Sequence, residues 1–382
     1  MRHKIPLFKA YSDEEDIKAV ADIIKRGTYW ASGPEVEEFE KKVCDYTGRK
    51  YAVAFNSGTS ALHTLLLAHN IKDREVIVPS FTFIATANAV VLAGGKPVFA
   101  EVENETYGLD AQDVKKRITD KTKAILVVHY AGFSARDTEE LRKIAKDNNL
   151  LFIEDAAESF GAKIKGKQAG TFGDSAIFSL CQSKIFTTGE GGLIVTDSRE
   201  IYEKSKLIRS HGRLEHEEDY FSCAADNDYI EAGYNFRLPT ILASLGISQL
   251  KKVDKLIEMR REKANYIRNE LAKINGIGFM KEIDDHFQVY QIFTIVLENK
   301  SVRDDLQEHL SAHGILSKIY FNPLHLKTFY VKNYGYKKGN LPLTEDFSDK
   351  LLSIPFYPHM TKDEMDFLIS TIKEFFTSKG DK

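Results

Sequence analysis

Seven short apolar or β-branched runs limit what this chain can become more than any other feature. They are YAVAF (51–55), EVIVPS (75–80), PVFAEV (97–102), KAILVVHY (123–130), LLFIED (150–155), SAIFSL (175–180) and GLIVT (192–196). Each has the length and composition of a buried strand, and helix-like segments separate most of them. Strands alternating with helices predict an α/β fold with a mainly parallel, doubly wound central sheet. Such sheets bind ligands beyond the carboxyl ends of their strands, so the residues directly after each run are the candidates for function.

The flanks follow other patterns. Ser12 followed by Glu15 is a capping-box signature ahead of an amphipathic helix over 13–26, closed by Gly27. From Gln249 onward, QLKKVDKLIEMRREKANYIRNELAKI reads as one long charged helix with Leu250, Val253, Leu256 and Ile257 on its apolar stripe. It bridges to a smaller α+β C-terminal unit, with a weaker strand signal in VYQIFTIVL (289–297) and a helix over 303–312. The predicted division is a large domain over 13–248 and a small one over 249–382, with 1–12 packing nearby. Neither low-complexity tracts nor long flexible linkers occur, so the two units are expected to pack closely.

Composition narrows the function classes. A chain of 382 residues with 43% hydrophobic content can bury a large core. The formal net charge is −3 with both signs interspersed, which gives nucleic acid no basic stripe to meet. No run approaches the roughly 20 apolar residues that span a bilayer, and a cytoplasmic protein with no membrane partner is expected. Three widely spaced cysteines, Cys44, Cys181 and Cys223, fit a reducing compartment without a disulfide framework or a zinc site, and no metal is expected.

Three post-strand segments carry chemistry. After YAVAF, Ser57, Gly58 and Thr59 open a helix directly off a strand, where free N–H groups and the helix dipole suit a phosphate. They also read as a plain N-cap. After LLFIED, Asp155 ends an apolar strand and needs a partner, such as a protonated ring nitrogen, or else caps the next helix. Glu154 points the other way by strand alternation. After SAIFSL, the stretch CQSKIFTTGEGG holds Lys184 on a glycine-marked turn, where a lowered pKa would make it a Schiff-base nucleophile. An anion cradle, an acid at a strand end and a poised lysine are together the parts that hold pyridoxal phosphate.

The ordered motifs NSGTSAL, VPSFTFIATANAV, VVHYAG, IEDAAESFGA, FSLCQSKIFTTGEGG, RSHG, GYNFRLPTILASLGISQLKKVD and LPLTEDFSDKLLSIPFYPHMTKDE resemble those of the DegT/StrS family of pyridoxal-phosphate sugar aminotransferases. The likeness spans nearly the whole chain. It implies a fold-type-I aminotransferase and a homodimer with both active sites at the subunit interface. By resemblance, Lys184 is the Schiff-base lysine and Asp155 the partner of the pyridine nitrogen. Ser57, Gly58, Thr59 and Ser179 match phosphate contacts, and Phe83 the aromatic that stacks on the cofactor ring. Asn235 matches the residue that reaches the phosphate across the dimer. Glu158 departs from the common Gln or His beside the phenolic oxygen; a carboxylate there is either protonated or turned elsewhere. It hints at the perosamine-synthase-like subgroup. Cys181 replaces a frequent His or Tyr and reads as a small buried side chain or a reactive thiol.

For the substrate, the resemblance points to His325 in the 317–330 loop and to Trp30 in the glycine- and proline-marked 27–40 loop. Arg209, close to His211 and Arg213, could meet a diphosphate. On local grounds His325 also reads as a hydrogen-bonded loop residue, Trp30 as packing, and the basic cluster as a solvated face. The implied reaction moves an amino group from L-glutamate to C4 of a nucleotide-linked 4-keto-6-deoxyhexose by ping-pong kinetics. Amination at C3, a deoxysugar dehydratase and a non-catalytic cofactor-binding regulator are the alternatives. The intact Lys184 and Asp155 argue against the last two.

Overall fold

All seven runs enter one sheet in the computed structural model, which describes residues 4–214 and 228–380. The strands are β1 (Tyr51–Phe55), β2 (Glu75–Pro79), β3 (Lys96–Ala100), β4 (Thr122–Val128) and β5 (Leu151–Asp155). After a hairpin of β6 (Lys163–Ile164) and β7 (Lys167–Gln168) come β8 (Ser175–Ser179) and β9 (Gly192–Thr196). Their spatial order is β1-β9-β8-β5-β4-β2-β3. Every neighbouring pair is parallel except those of β9, which runs antiparallel between β1 and β8. Because β9 opposes both, β1 shares the direction of β8, and all strands but β9 open their carboxyl ends on one edge.

Helices α1 (Glu14–Arg26), α2 (Pro34–Thr47), α3 (Gly58–Ala68), α4 (Ile84–Leu92), α5 (Ala111–Arg117), α6 (Thr138–Asp147) and α7 (Arg199–Arg209) surround this sheet. Val76 and Val78 join the apolar cluster of α3 and α4, while Ile77 between them joins that of α5 and α6. A strand buried on both faces gives an unbroken apolar run, which is why the strands were legible. Truncating a side chain such as Ile77 to Ala costs about 2–5 kcal/mol.

The start of α1 corrects one expectation. Its N-cap is Asp13 rather than Ser12, and the box closes on Asp16: the Asp13 carboxylate accepts from the Glu15 and Asp16 amides, and Asp16 accepts from the Asp13 amide. A carboxylate supplies two acceptor oxygens where a hydroxyl supplies one, and its charge suits the helix dipole. Gly27 closes the helix at φ 74°, as expected.

The predicted long helix is two helices, α8 (Thr240–Lys251) and α9 (Val253–Leu271), broken at Lys252. At the break the Lys252 amine reaches Asp13 and, at 3.0 Å, Asp16 at the start of α1, a contact distant in sequence. The boundary expected at 248/249 falls inside α8. Beyond α9, β10 (Gly278–Phe279), β12 (Phe293–Val296) and β13 (Leu351–Ile354) form a small antiparallel sheet, while β11 (His286–Phe287) pairs with β6. Residues 289–292 stay out of β12 because their backbone is used elsewhere. The Val289 amide donates to Gly132, and the carbonyls of Tyr290 and Gln291 accept from the buried Arg260. Helices α10 (Lys300–Ala312), α11 (Thr328–Tyr334), α12 (Pro342–Lys350) and α13 (Lys362–Gly380) complete the chain. The N-terminal segment packs on this unit: the Phe356 amide donates to Leu7 at 3.0 Å, and Ile5 bridges Ile315. One apolar cluster joins Phe81 and Tyr130 to Phe293 and Leu368, so the two units share a core.

Candidate active site

The site lies where the sheet opens. β1 leads directly into α3, whose cap is Ser57; its hydroxyl accepts from the Ser60 amide at 3.0 Å. The leading N–H groups of a helix have no partner within it and face outward. β8 ends beside them at Ser179. A β-carbon on Gly58 would lie 3.0 Å from Ser179 Cβ and 3.2 Å from its Oγ, so a larger residue would press Ser179 aside by a few tenths of an ångström and glycine keeps this corner open. The result is an anion cradle built from two strand ends.

β5 delivers two acids to opposite environments. Asp155 faces the cavity: Thr86, on the first turn of α4, donates to it at 2.8 Å, and the Ala157 amide at 3.2 Å. Burial pushes its pKa above the ordinary carboxylate value, since these two neutral donors do not fully replace water. A cation brought to Asp155 would offset that burial. Glu154 lies on the other face, fully buried, and accepts from the amides of Gly170, Phe172 and Gly173 at 2.6–2.8 Å. His129 Nδ1 accepts from the Ala135 amide, so its Nε2 carries the proton and donates to Glu154 at 2.9 Å. Glu154 is thus satisfied structurally, as strand alternation required.

Lys184 sits on the turn between β8 and β9, its amide bonded to the Cys181 carbonyl at 2.9 Å and its neighbour Ser183 held by the Gln291 side chain. Its Nζ donates to Glu158 at 3.2 Å, and the other Glu158 oxygen accepts from the Ala131 amide at 2.9 Å. Glu158 therefore lies beside the lysine amine on the cavity wall.

The turn of Ser57, Gly58 and Thr59 lines a single cavity of about 480 Å³ together with Phe83, Asp155, Glu158, Ser179 and Lys184. Phe83 caps α4 and lines the cavity with 57% of its surface exposed, so its ring is open to a flat ligand. An anion cradle, an uncompensated buried carboxylate, an amine and a bare aromatic face fit pyridoxal phosphate. Lys318, Tyr320 and Phe321, from the 317–330 loop expected to face the substrate, line the cavity too, while Leu7 and Phe8 from the N-terminal segment were missed by sequence reasoning. Thr86 was missed as well, although a threonine in the apolar stretch IATANAVVL was a usable signal.

Four predicted residues lie elsewhere. His325 is fully buried, with Nδ1 2.7 Å from the Ser80 hydroxyl and Nε2 3.0 Å from Glu345. Both ring nitrogens are engaged, which corrects its assignment as a substrate contact in favour of the local hydrogen-bonding reading. Arg209 is likewise buried and donates to Glu40 at 2.6 Å and to the Ala54 carbonyl at 2.9 Å, so it braces β1 and is not on the Lys184 cavity. Trp30 donates to the Ile23 carbonyl at 3.2 Å with its ring half exposed, outside the cavity. Asn235 is exposed, bridged to Ser210, and accepts from the Asn56 side chain through its carbonyl. Cys181 is a free thiol on the cavity wall; Cys44 is free too, its thiol pushed up to about 11 by burial. Cys223 lies outside the described residues. Among those described, no helix is long and apolar enough to cross a membrane.

Residues 10–373 match the model of the DegT/DnrJ/EryC1/StrS aminotransferase family. The chain is 32% identical over 376 residues to GDP-perosamine synthase of Escherichia coli O157:H7, covering 98% of this chain and 99% of that protein. Among solved structures it superposes on PseC of Helicobacter pylori, an aminotransferase of pseudoaminic acid biosynthesis, with a TM-score of 0.90 and 30% identity, over 98% of this chain and 99% of that one. DesV of S. venezuelae, crystallised with a ketimine intermediate, matches at a TM-score of 0.88 and 31% identity, over 98% and 99% of the two chains. The fold, the strand-end site and these likenesses agree, and the chain belongs to the DegT/DnrJ/EryC1/StrS aminotransferase family.

Proposed function

We propose that this enzyme uses pyridoxal phosphate to move an amino group from L-glutamate to a nucleotide-linked keto-deoxysugar, with C4 of a 4-keto-6-deoxyhexose as the leading acceptor. The observation that carries the reading is Lys184, Asp155 and the Ser57 turn on one cavity wall. The likeness to GDP-perosamine synthase supports the sugar and the carbon.

The residues divide the work. Gly58, Thr59 and Ser179 would hold the phosphate, and Phe83 would cover one ring face. Asp155, desolvated and braced by Thr86, would keep the pyridine nitrogen protonated. Bound pyridoxal phosphate supplies an electron sink that makes the C–H bond beside the transferred nitrogen acidic. Lys184 would hold the aldehyde and, once released, carry the proton away and return it. Glu158 is hydrogen-bonded to Lys184 Nζ and so orients the amine between those tasks.

We further propose a homodimer with shared sites. Asn235 is exposed, and Tyr229, Ile230 and Tyr234 near it are 52%, 50% and 42% exposed, an apolar patch suited to a second copy. Trp30, half exposed on its loop, remains a candidate for stacking on a nucleotide base.

The test is spectroscopic. Glutamate should convert the cofactor of the purified enzyme to its aminated form, and a GDP-linked 4-keto-6-deoxysugar should reverse the change. Reversal only by a dTDP- or UDP-linked sugar, or by a 3-keto sugar, would replace the acceptor; no response to glutamate would overturn aminotransfer from that donor.

A further inference from the structure

We propose that His309, His313 and Glu374 form a binding site for a divalent transition cation of the zinc class, tying α10 to the C-terminal helix α13. The two histidines are four residues apart, His309 in the last turn of α10 and His313 at its C-cap. Glu374 comes from α13, and one ligand atom from each of the three residues lies within 4.8 Å of the others. The imidazole centroids are 4.4 Å apart.

Backbone carbonyls prepare both rings. His313 Nδ1 is 2.8 Å from the His309 carbonyl, and His309 Nε2 is 3.2 Å from the Thr371 carbonyl. A carbonyl only accepts, so each of those nitrogens carries a proton, and the other nitrogen of each ring is the one that would ligate a metal. This is the arrangement by which outer partners set the tautomer of a ligating histidine. The packing of Phe375 against His309, with centroids 5.6 Å apart, further limits that ring's rotation.

The donor set is two imidazoles and one carboxylate, which suits zinc, cobalt(II) or nickel and leaves positions for water. Tetrahedral zinc with bonds of about 2.0–2.2 Å holds its ligands roughly 3.4 Å apart, a contraction within reach of the exposed Glu374 side chain. The cysteine count gave no sign of it, because the ligands come from two segments that meet only in the fold.

The experiment titrates zinc, with calorimetric detection, into chelator-stripped holoenzyme and into its His313→Ala and Glu374→Gln variants. The expected result is one strong site per chain in the parent. His313→Ala should abolish it, and Glu374→Gln should weaken it at least about tenfold, the scale on which even outer partners act. Cobalt(II) should give visible ligand-field absorption in the parent and not in His313→Ala, and zinc should raise the parent's Tm more than the variant's. Absence of stoichiometric uptake, or uptake of equal affinity in both variants, overturns the proposal. The variants lie outside the Lys184 cavity, so their metal-free aminotransfer should match the parent's and shows that they are folded.

Discussion

Asp155 depends on a residue that does no chemistry of its own. Thr86 donates to it inside the protein, and removing a donor from a buried carboxylate costs about 1–3 kcal/mol. Thr86→Ala should therefore lower kcat by roughly tenfold, since each 1.4 kcal/mol is a factor of ten, and should weaken cofactor binding. Thr86→Ser should restore most of both; equal rates in parent and Ala variant would remove Thr86 as a positioning residue. Lys184→Ala should lose at least about 10²- to 10⁴-fold in turnover, the range of a lost general acid–base, together with the near-visible absorbance of the lysine-bound cofactor. Full turnover in that variant would overturn its assignment.

Among the elements, β1 shows how an edge strand is protected. The Ala54 amide donates to Glu40 at 2.7 Å, its carbonyl accepts from Arg209 at 2.9 Å, and Glu40 and Arg209 pair with each other. Two side chains thus satisfy the outer edge of β1 at Ala54, where no further strand pairs among the described residues. Removing Glu40 takes a buried acceptor from both the Ala54 amide and Arg209, so Glu40→Ala should lose about 1–3 kcal/mol in urea unfolding, and the double variant Glu40→Leu/Arg209→Met should lose less than the two single changes summed. The same contact explains why a basic residue in RSHG was misread as a diphosphate ligand: its partner lies 169 residues away. On the facing turn, Gly58→Ala places a methyl group against Ser179 and should weaken cofactor binding while leaving the unfolding midpoint of the cofactor-free protein within about 1 kcal/mol. A large loss of stability instead would make Gly58 a folding residue.

At the scale of the molecule, stability should follow histidine burial. Burial lowers His69 to about 4, where it contacts the Ser175 hydroxyl at 2.8 Å. Its folded pKa lies below the unfolded value of about 6.5, so the unfolded chain binds the extra proton between those limits. Stability from this site is complete above about pH 6.5 and falls as pH drops toward 4, by up to about 3 kcal/mol. Urea midpoints at pH 7 and pH 5 should show the loss, and His69→Gln should flatten it; an unchanged slope would assign it elsewhere. The proposed shared-site dimer has its own check. Mixing Asn235→Ala and Lys184→Ala subunits should regain activity that neither homodimer has, and verified exchange without recovery would rule against a site completed across subunits.

Local pattern alone determined the seven strands of the large sheet, the helix start at Ser57, Asp155 at a strand end and Lys184 on its glycine turn. Their signals are run length, alternation and capping chemistry within a few residues. Tertiary structure decided the rest, because the deciding partners are remote. Thr86 meets Asp155 across 69 residues, Ser80 meets His325 across 245, and Lys252, between α8 and α9, meets Asp13 and Asp16. A side chain's type states what it can bond to, and only the packed chain states which partner reaches it first.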